Sequence, residues 1–372
     1  MNEIPQELHI GSTVDFALPV FVAGVLVALA ILLFAWLSRR NYLALPELKL
    51  EPAAATPDHC VVIPARNEQA SIARCVSSLD GSPRLVVDDH SSDRTAALAQ
   101  AAGAEVRAAA PLPPKWLGKP HACWSGAQHT DSDWLAFVDA CTWYEPGFLP
   151  SLLAYAGRRQ LHAATVFPRQ ELQRWYERLL VPYGLGLYFT GVSAANVNNA
   201  RHPEALANGQ CLLFRRSAYK FIGGHSSVSG SVIEDVALAR LLKRHRMSIA
   251  VLRCESLAHV RMYRSFGGLC RGFRKDSFRF LRVHPKTGLL VVAASIVMTS
   301  WLPMLAALLW QEHWGPAAVF ALIPAIAWRP WYRSWLQALA APLAIYLFPA
   351  IVLCGMLASL FGLSTQWKGR RV

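Results

Sequence analysis

Apolar positions in this chain are pooled rather than spread. From Phe16 to Ser38 the run "FALPVFVAGVLVALAILLFAWLS" carries no charge, and at about 1.5 Å per residue it is long enough to cross a hydrocarbon core of about 30 Å. Glu3, Glu7 and Asp15 precede it where a leader peptide would be basic, and no small-x-small cleavage pattern follows before Arg39 and Arg40. That pattern predicts a retained anchor. A second pool begins with "GLLVVAASIVMTSWLPMLAALLW" at Gly288, continues as "WGPAAVFALIPAIAW" from Trp314 and ends with "LQALAAPLAIYLFPAIVLCGMLASLFGL" from Leu336. The outer two reach the length of a membrane span; the middle one is shorter.

Between the pools, short apolar runs alternate with amphipathic ones. "CVVIPA", "RLVVDD" and "WLAFVDA" predict buried strands, and "QASIARCVSSL", "SSDRTAALAQAAGA" and "PGFLPSLLAYAG" predict helices. The second helix has Ser and Asp in capping position and the third opens on a proline. Alternation of this kind predicts an α/β domain with a parallel sheet and helices on both faces. Ligands of such sheets bind beyond the carboxyl ends of the strands, where this chain places Asp88, Asp89 and Asp139.

The expected organisation is an extracytoplasmic segment over 1–15, an anchor over 16–38 and a cytoplasmic domain over 39–255. A basic interfacial segment over 256–287, a transmembrane region of about three apolar segments over 288–363 and a basic tail over 364–372 complete it. Basic flanks set the orientation: Arg39, Arg40 and Lys286 border the soluble middle, so it faces the cytoplasm at the inner (plasma) membrane. "QEH" after Trp310 reads as an outside loop and "RPWYRSW" as an inside one. For the ending "WKGRRV" two readings stay open. A single last span puts its charges outside, against the rule; a run broken at Pro342 or Pro349 lets the chain return.

Hydrophobic residues make up 53% and mean hydropathy is +0.26, in keeping with membrane spans. The net charge of +13 raises the question of nucleic acid, but no zinc-finger spacing or RNA-motif aromatic pattern supports it. Anionic lipid heads and nucleotide diphosphates account better for the excess. From Ser256 to Lys286 eight Lys/Arg and one acid, Asp276, interleave with aromatics, which predicts an amphipathic helix on the bilayer surface. The eight cysteines stand singly, which argues against a zinc site or a disulfide frame.

The segments "VVIPARNEQASIARCVSSL", "LVVDDHSSDRT", "WLGKPHACWSGAQ", "FVDACT", "NGQCLLFRRSAYKFIGGH", "IEDVALARLLKR" and "VRMYRS" stand in an order that resembles the inverting family 2 glycosyltransferases of GT-A fold. The resemblance is nearer to membrane-anchored bacterial members associated with carotenoid or hopanoid glycosylation, and more distantly to ceramide glucosyltransferase. It spans roughly Val61 to Lys275 plus the terminal "WKGR". It implies a nucleotide-sugar donor, with UDP as the base carrier, and a lipid acceptor. Pro64, Ala65, Arg66, Glu68, Asp88 and Asp89 would grip the nucleoside, and Gly118 and Lys119 the diphosphate. Glu68 and Lys119 have plainer readings as a helix-start acid and a surface lysine.

In the family an Asp-x-Asp pair carries Mg²⁺ or Mn²⁺. Asp139 holds the first place here, and Cys141, a poor ligand for hard cations, holds the second. The resemblance makes Asp235 the base that takes the acceptor proton, with Glu234 beside it; a helix-capping acid pair is the plainer reading. Asn208, Gly209 and Gln210 fall on the acceptor side. Arg261 and Arg264 match the family's diphosphate clamp, in which Ser265 replaces the usual tryptophan. A processive polysaccharide synthase and a non-catalytic membrane scaffold are the competing readings.

Overall fold

A 27-residue helix, α1 (Ala17–Leu43), leads into the α/β body of a computed structural model that describes residues 17–51, 56–79, 81–283, 285–360, 366–367 and 370–371. In chain order the body comprises β1 (His59–Ala65), α2 (Ile72–Ser77), β2 (Arg84–Asp88), α3 (Thr95–Ala101), β3 (Glu105–Ala108), α4 (Gly118–Gln128), β4 (Trp134–Val138), β5 (Thr142–Tyr144), α5 (Phe148–Arg158), β6 (Ala163–Gln170), α6 (Trp175–Thr190), α7 (Ala194–Asn198), β7 (Cys211–Arg215), α8 (Arg216–Phe221), α9 (Glu234–Arg244) and β8 (Ile249–Val260). Helices α10 (Phe266–Val283), α11 (Pro285–Thr299), α12 (Trp301–Trp310), α13 (Trp314–Trp328), α14 (Trp335–Leu339) and α15 (Ala341–Leu360) follow, then the ribbon β9 (Gln366–Trp367) and β10 (Arg370–Arg371). The expected segment 1–15 lies outside the described residues, as does most of the tail 364–372.

One sheet runs β3-β2-β1-β4-β7-β6-β8-β5. Its first four strands are parallel, as the strand–helix alternation predicts. The fully parallel expectation stops there, because β7 enters antiparallel to β4 and to β6. The reversal shapes the rim. Pairing Val138 with Cys211 brings the residues just before β7 alongside those just after β4. Likewise β8 ends beside β6 and β5, so residues 261–264 leave the sheet at the same edge. Strand β8 runs to Val260, so the first residues of the interfacial segment expected from 256 belong to the sheet.

Apolar side chains pack on both sheet faces. Val61, Ile63, Val86, Leu152 and Leu252 lie on one, and Val62, Leu135, Phe214 and Leu238 on the other. A third core fills the helical bundle around Tyr183, Trp328 and Ile345. The bodies are joined by polar contacts as well: Ser38 donates to the Gly186 carbonyl at 2.5 Å, Asn41 to the Phe189 carbonyl at 2.9 Å, and Tyr42 to Glu255 at 2.6 Å. Helix α6 is thus held by α1 on one side.

Among the described residues, three helical stretches are long and apolar enough to cross a membrane: Leu18–Leu43, Gly288–Trp310 and Ala341–Ala358. At 15 residues α13 reaches only about 22 Å. Exposed large apolar side chains cover these helices, among them Leu26 (61%), Ile296 (64%) and Leu353 (55%), as expected of surfaces that face lipid. Helix α15 continues through Pro349 without a break, whereas the apolar run from Leu336 is interrupted just before Pro342, between α14 and α15.

Helix α4 lies close on β1 because Gly126 has no side chain: a Cβ there would sit 2.4 Å from Val62 Cγ1 and 3.1 Å from Val87 Cγ2. Gly126→Ala is therefore expected to cost about 1–3 kcal/mol through overpacking. Gly157→Ala, in α5 with open space around it, is expected to be neutral or stabilising by up to about 1 kcal/mol. Thermal denaturation of the two variants side by side checks the contrast.

Candidate active site

The loops after β1 and β2 form the first wall of the rim. Asn67 and His90 both take positive φ, a turn conformation that short polar side chains tolerate best. Asn67 Oδ1 accepts from the Ser92 amide at 2.9 Å, and the Asn67 amide donates to Ser91 Oγ at 2.9 Å. Arg66 donates to the Asp89 carbonyl and draws the loops together. Asp93 caps α3 by accepting from the Thr95 amide at 2.9 Å, as the sequence predicts.

The second wall is built from helix starts. Lys119 stands at the beginning of α4, and Glu234 and Asp235 occupy the first turn of α9, where the helix dipole favours negative charge. The Lys119 ammonium lies 2.8 Å from Asp139 Oδ1 and 2.9 Å from Glu234 Oε1, and donates to the Gly209 carbonyl at 3.3 Å. Asp235 Oδ2 accepts from the Gly209 amide at 2.7 Å, and Oδ1 from the Val236 amide at 2.8 Å. Gly209 fits because it carries no side chain: a Cβ would sit 2.9 Å from Lys119 Nζ and 3.3 Å from Asp235 Oδ2. Asn208 and Gln210 brace the turn, with the Asn208 amide group donating to Gln210 Oε1 at 3.0 Å and the Asp139 amide to the Gln210 carbonyl at 3.2 Å.

These contacts set the charges. Burial opposes the Lys119 ammonium, but Asp139 and Glu234 outweigh it and hold its pKa well above the ordinary value. Burial and the neighbouring Glu234 push Asp235 up to about 7, against the pull of Lys119 and of the two backbone amides. Asp235 is thus a carboxyl poised near neutrality on the edge of a cavity.

That cavity, of about 1220 Å³, is lined by Pro64, Ala65, Arg66, Glu68, Asp89, Gly118, Lys119, Asp139, Cys141, Asn208, Gly209, Gln210, Glu234, Asp235, Arg261 and Arg264. Asp88 is the exception among the residues singled out in the sequence. It lies outside the lining and instead accepts from Ser91 Oγ and the Ser91 amide, closing the turn after β2. Glu68 lines the cavity and also accepts from Ser71 Oγ at 2.9 Å at the start of α2. Arg264 donates to the Ala70 carbonyl at 2.8 Å. Ser265 Oγ accepts from the Gly268 amide at 3.1 Å and serves as a cap for α10, which gives the departure from the family's tryptophan a structural use.

Two residues went unnoticed in the sequence. Glu177, 1% exposed, pairs with Arg261 at 3.1 Å and accepts from the Gln173 and Arg174 amides at the start of α6. Tyr188, near the other end of α6, lines the cavity close enough to Asp235 for that carboxylate, after burial, to raise its phenol pKa. Only the Glu at the third position of α6 offered a signal, as a capping box.

Residues 60–223 match the family model for glycosyl transferase family 2. The 4,4'-diaponeurosporenoate glycosyltransferases of Staphylococcus haemolyticus and Staphylococcus aureus are each 28% identical over 245 and 246 residues, which cover 63% and 64% of this chain. The match spans 65% and 64% of the length of those relatives. A mannosyltransferase from Pyrobaculum calidifontis, solved with GDP-Man and Mn²⁺, superposes with a TM-score of 0.56 at 16% identity over 92% of this chain and 99% of that one. The fold is of the GT-A glycosyltransferase class. The likeness to family 2 glycosyltransferases rests on residues 60–223.

Glu177→Ala removes the partner of a largely buried guanidinium together with the α6 cap, so a stability loss of about 3–5 kcal/mol is expected. Glu177→Gln keeps the cap's oxygen but not the charge and is expected to lose less. Denaturant titration in detergent separates the two.

Proposed function

We propose that the protein transfers a hexose from a nucleotide sugar, taken as a UDP-sugar, to a lipid acceptor with inversion, at the cytoplasmic face of the membrane. The observation that carries this reading is the convergence of Asp139, Glu234 and Asp235 around Lys119 in one cavity that Asp89 also lines. An open volume of about 1220 Å³ exceeds the roughly 300–1,000 Å³ of a typical small-ligand pocket. It has room for a donor and part of an acceptor together.

In this reading Asp89 and the β1 loop receive the nucleoside, carboxylates making the stronger hydrogen bonds to its N–H and hydroxyl groups. Lys119 and the start of α4 receive the diphosphate, and Arg261 and Arg264 close on it from the other side. Asp235 takes the proton of an acceptor hydroxyl as its oxygen attacks the anomeric carbon opposite the leaving diphosphate. An acceptor that reacts through an ionised carboxylate needs no base, and Asp235 then orients it.

Asp139 and Glu234 are the carboxylates that would hold a divalent cation. The Lys119 ammonium already occupies a cradle between Asp139 and Glu234, and a hard cation has the same preference for paired carboxylate oxygens. No group of three or more His, Cys, Asp or Glu side chains suited to a metal occurs among the described residues, so donor phosphate and water would complete the shell. When bound, the ion would neutralise charge on the leaving diphosphate. Chelation with EDTA is expected to lower transfer, and Mg²⁺ or Mn²⁺ to restore it; undiminished transfer in EDTA would assign that neutralisation to Lys119 alone.

Asp235→Asn is expected to reduce lipid glycosylation by about 10²–10⁴-fold, the usual worth of a positioned base. With a hydroxyl acceptor, the wild-type kcat/KM should fall with unit slope as pH drops below about 7, where Asp235 gains its proton. Labelled UDP-glucose incubated with membranes containing either form, followed by analysis of the lipid product, provides both measurements. Equal turnover by the variant would refute the assignment of the base.

A further inference from the structure

A second cavity, of about 390 Å³, lies between α9 and the short turn Gly224–Val228 that precedes it. Ser227, Ser229 and Ser231 line it from the turn and its exit, and Arg240 and Arg244 line it from the helix. Ser231 and Ile233 line the catalytic cavity as well, so the segment 231–233 is a partition between the two. Neither guanidinium lines the catalytic cavity, and among the described residues no Asp or Glu lines the second one.

The charge in this cavity is of one sign. Arg240 and Arg244 stand four residues apart on α9 and so share a face, where like charges repel. Arg240 is half-buried, and burial, then the charge of Arg244, lowers its pKa. A phosphate monoester or inorganic phosphate carries about −1.5 to −2 near neutral pH and balances the pair. Each planar guanidinium can also meet two of its oxygens. A lone carboxylate would leave half of the positive charge unmatched. Ser227 Oγ already donates to the Ile222 carbonyl at 2.8 Å, so Ser229 and Ser231 are the hydroxyls that can turn to an anion.

The partition is tied to the catalytic side. The Leu117 amide donates to the Ser229 carbonyl at 2.9 Å, and the Ser231 amide to the Val228 carbonyl at 2.8 Å. A Cβ on Gly230 would lie 3.3 Å from the Lys115 carbonyl oxygen. The turn therefore packs on the residues that lead into Lys119 and itself runs into Glu234 and Asp235. Arg244 ends α9 shortly before the start of β8, the end of that strand remote from α10 and the bundle, which favours a dissolved ligand. We infer that the cavity between the Gly224–Val228 turn and α9 binds a small phosphate-bearing anion through Arg240 and Arg244, and that its occupation holds the segment 229–233 in place. The inference does not rest on the transferase reading.

The test is hydrogen exchange of the full chain in phosphatidylcholine nanodiscs, with inorganic phosphate as the probe and chloride at matched ionic strength as the control. At phosphate about ten times its Kd, the amides of 227–233 should exchange about tenfold more slowly, because opening then requires release of the anion. Arg240→Gln and Arg244→Gln should each raise the phosphate needed by about tenfold or more, the worth of one charge-assisted hydrogen bond. Glutamine suits a helix as well as arginine does, and melting temperatures establish that the single and double variants fold. A parallel arm replaces free phosphate with phosphatidic acid in the nanodisc. Protection by dissolved phosphate supports the inference with a soluble ligand; protection in the second arm alone supports the site and assigns its phosphate to a lipid headgroup. No protection of 227–233 in either arm would overturn it. So would protection that persists in the folded double variant, which would put the anion across the partition in the catalytic cavity. Sugar transfer is not read in this experiment, so a failure of the transferase reading leaves its outcome untouched.

Discussion

A single ammonium lets this site exist. Asp139, at the end of a central strand, and Glu234, in the first turn of a helix, approach the same point from different parts of the chain and are held there by Lys119. Without a positive charge between them, two such carboxylates would repel at close range in a poorly solvated corner. With it, the rim of β4, the start of α4 and the start of α9 are locked together. Asp235 is left beside the cluster, bonded by the Gly209 and Val236 amides and, among the described residues, in no salt bridge of its own. Burial, and after it the charge of Glu234, raises its pKa against the pull of Lys119 and those amides.

Sheet topology explains why these groups meet. Parallel β1, β2 and β4 all end at one edge, so Asp89 and Asp139 share it by construction. The antiparallel entry of β7 brings Asn208, Gly209 and Gln210 to that edge from the opposite direction. Gly209 then offers its carbonyl to Lys119 and its amide to Asp235. Helix α6 adds the membrane side: Glu177 at its start holds Arg261, and Tyr188 near its end lines the wall by Asp235. One helix thus holds Arg261 and lines the cavity near Asp235.

Much of this was legible in the chain. Strands β1, β2 and β4 fall on the predicted buried runs, the latter two ending in acids, and the ordered motifs single out residues that, Asp88 apart, line one cavity. Asp88 misled because an aspartate three residues before a turn serine has a local partner as good as any ligand. The reversal at β7 could not be read, since an apolar strand carries no mark of its direction. Nor could the role of α6: "YGLGLYF" has the composition of any packed helix, and only tertiary contact with Phe348 and Trp328 gives its glycines meaning. Of the two prolines in the last apolar run, Pro342 follows a break between α14 and α15, while Pro349 lies inside a continuous helix.

The account's central claim is that Asp235 directs one displacement at the anomeric carbon, with no covalent sugar on the enzyme. Proton NMR of the isolated glycolipid measures this through the coupling constant of its anomeric proton. From an α-linked UDP-glucose the account predicts a β-glucoside. An α-glucoside would contradict it.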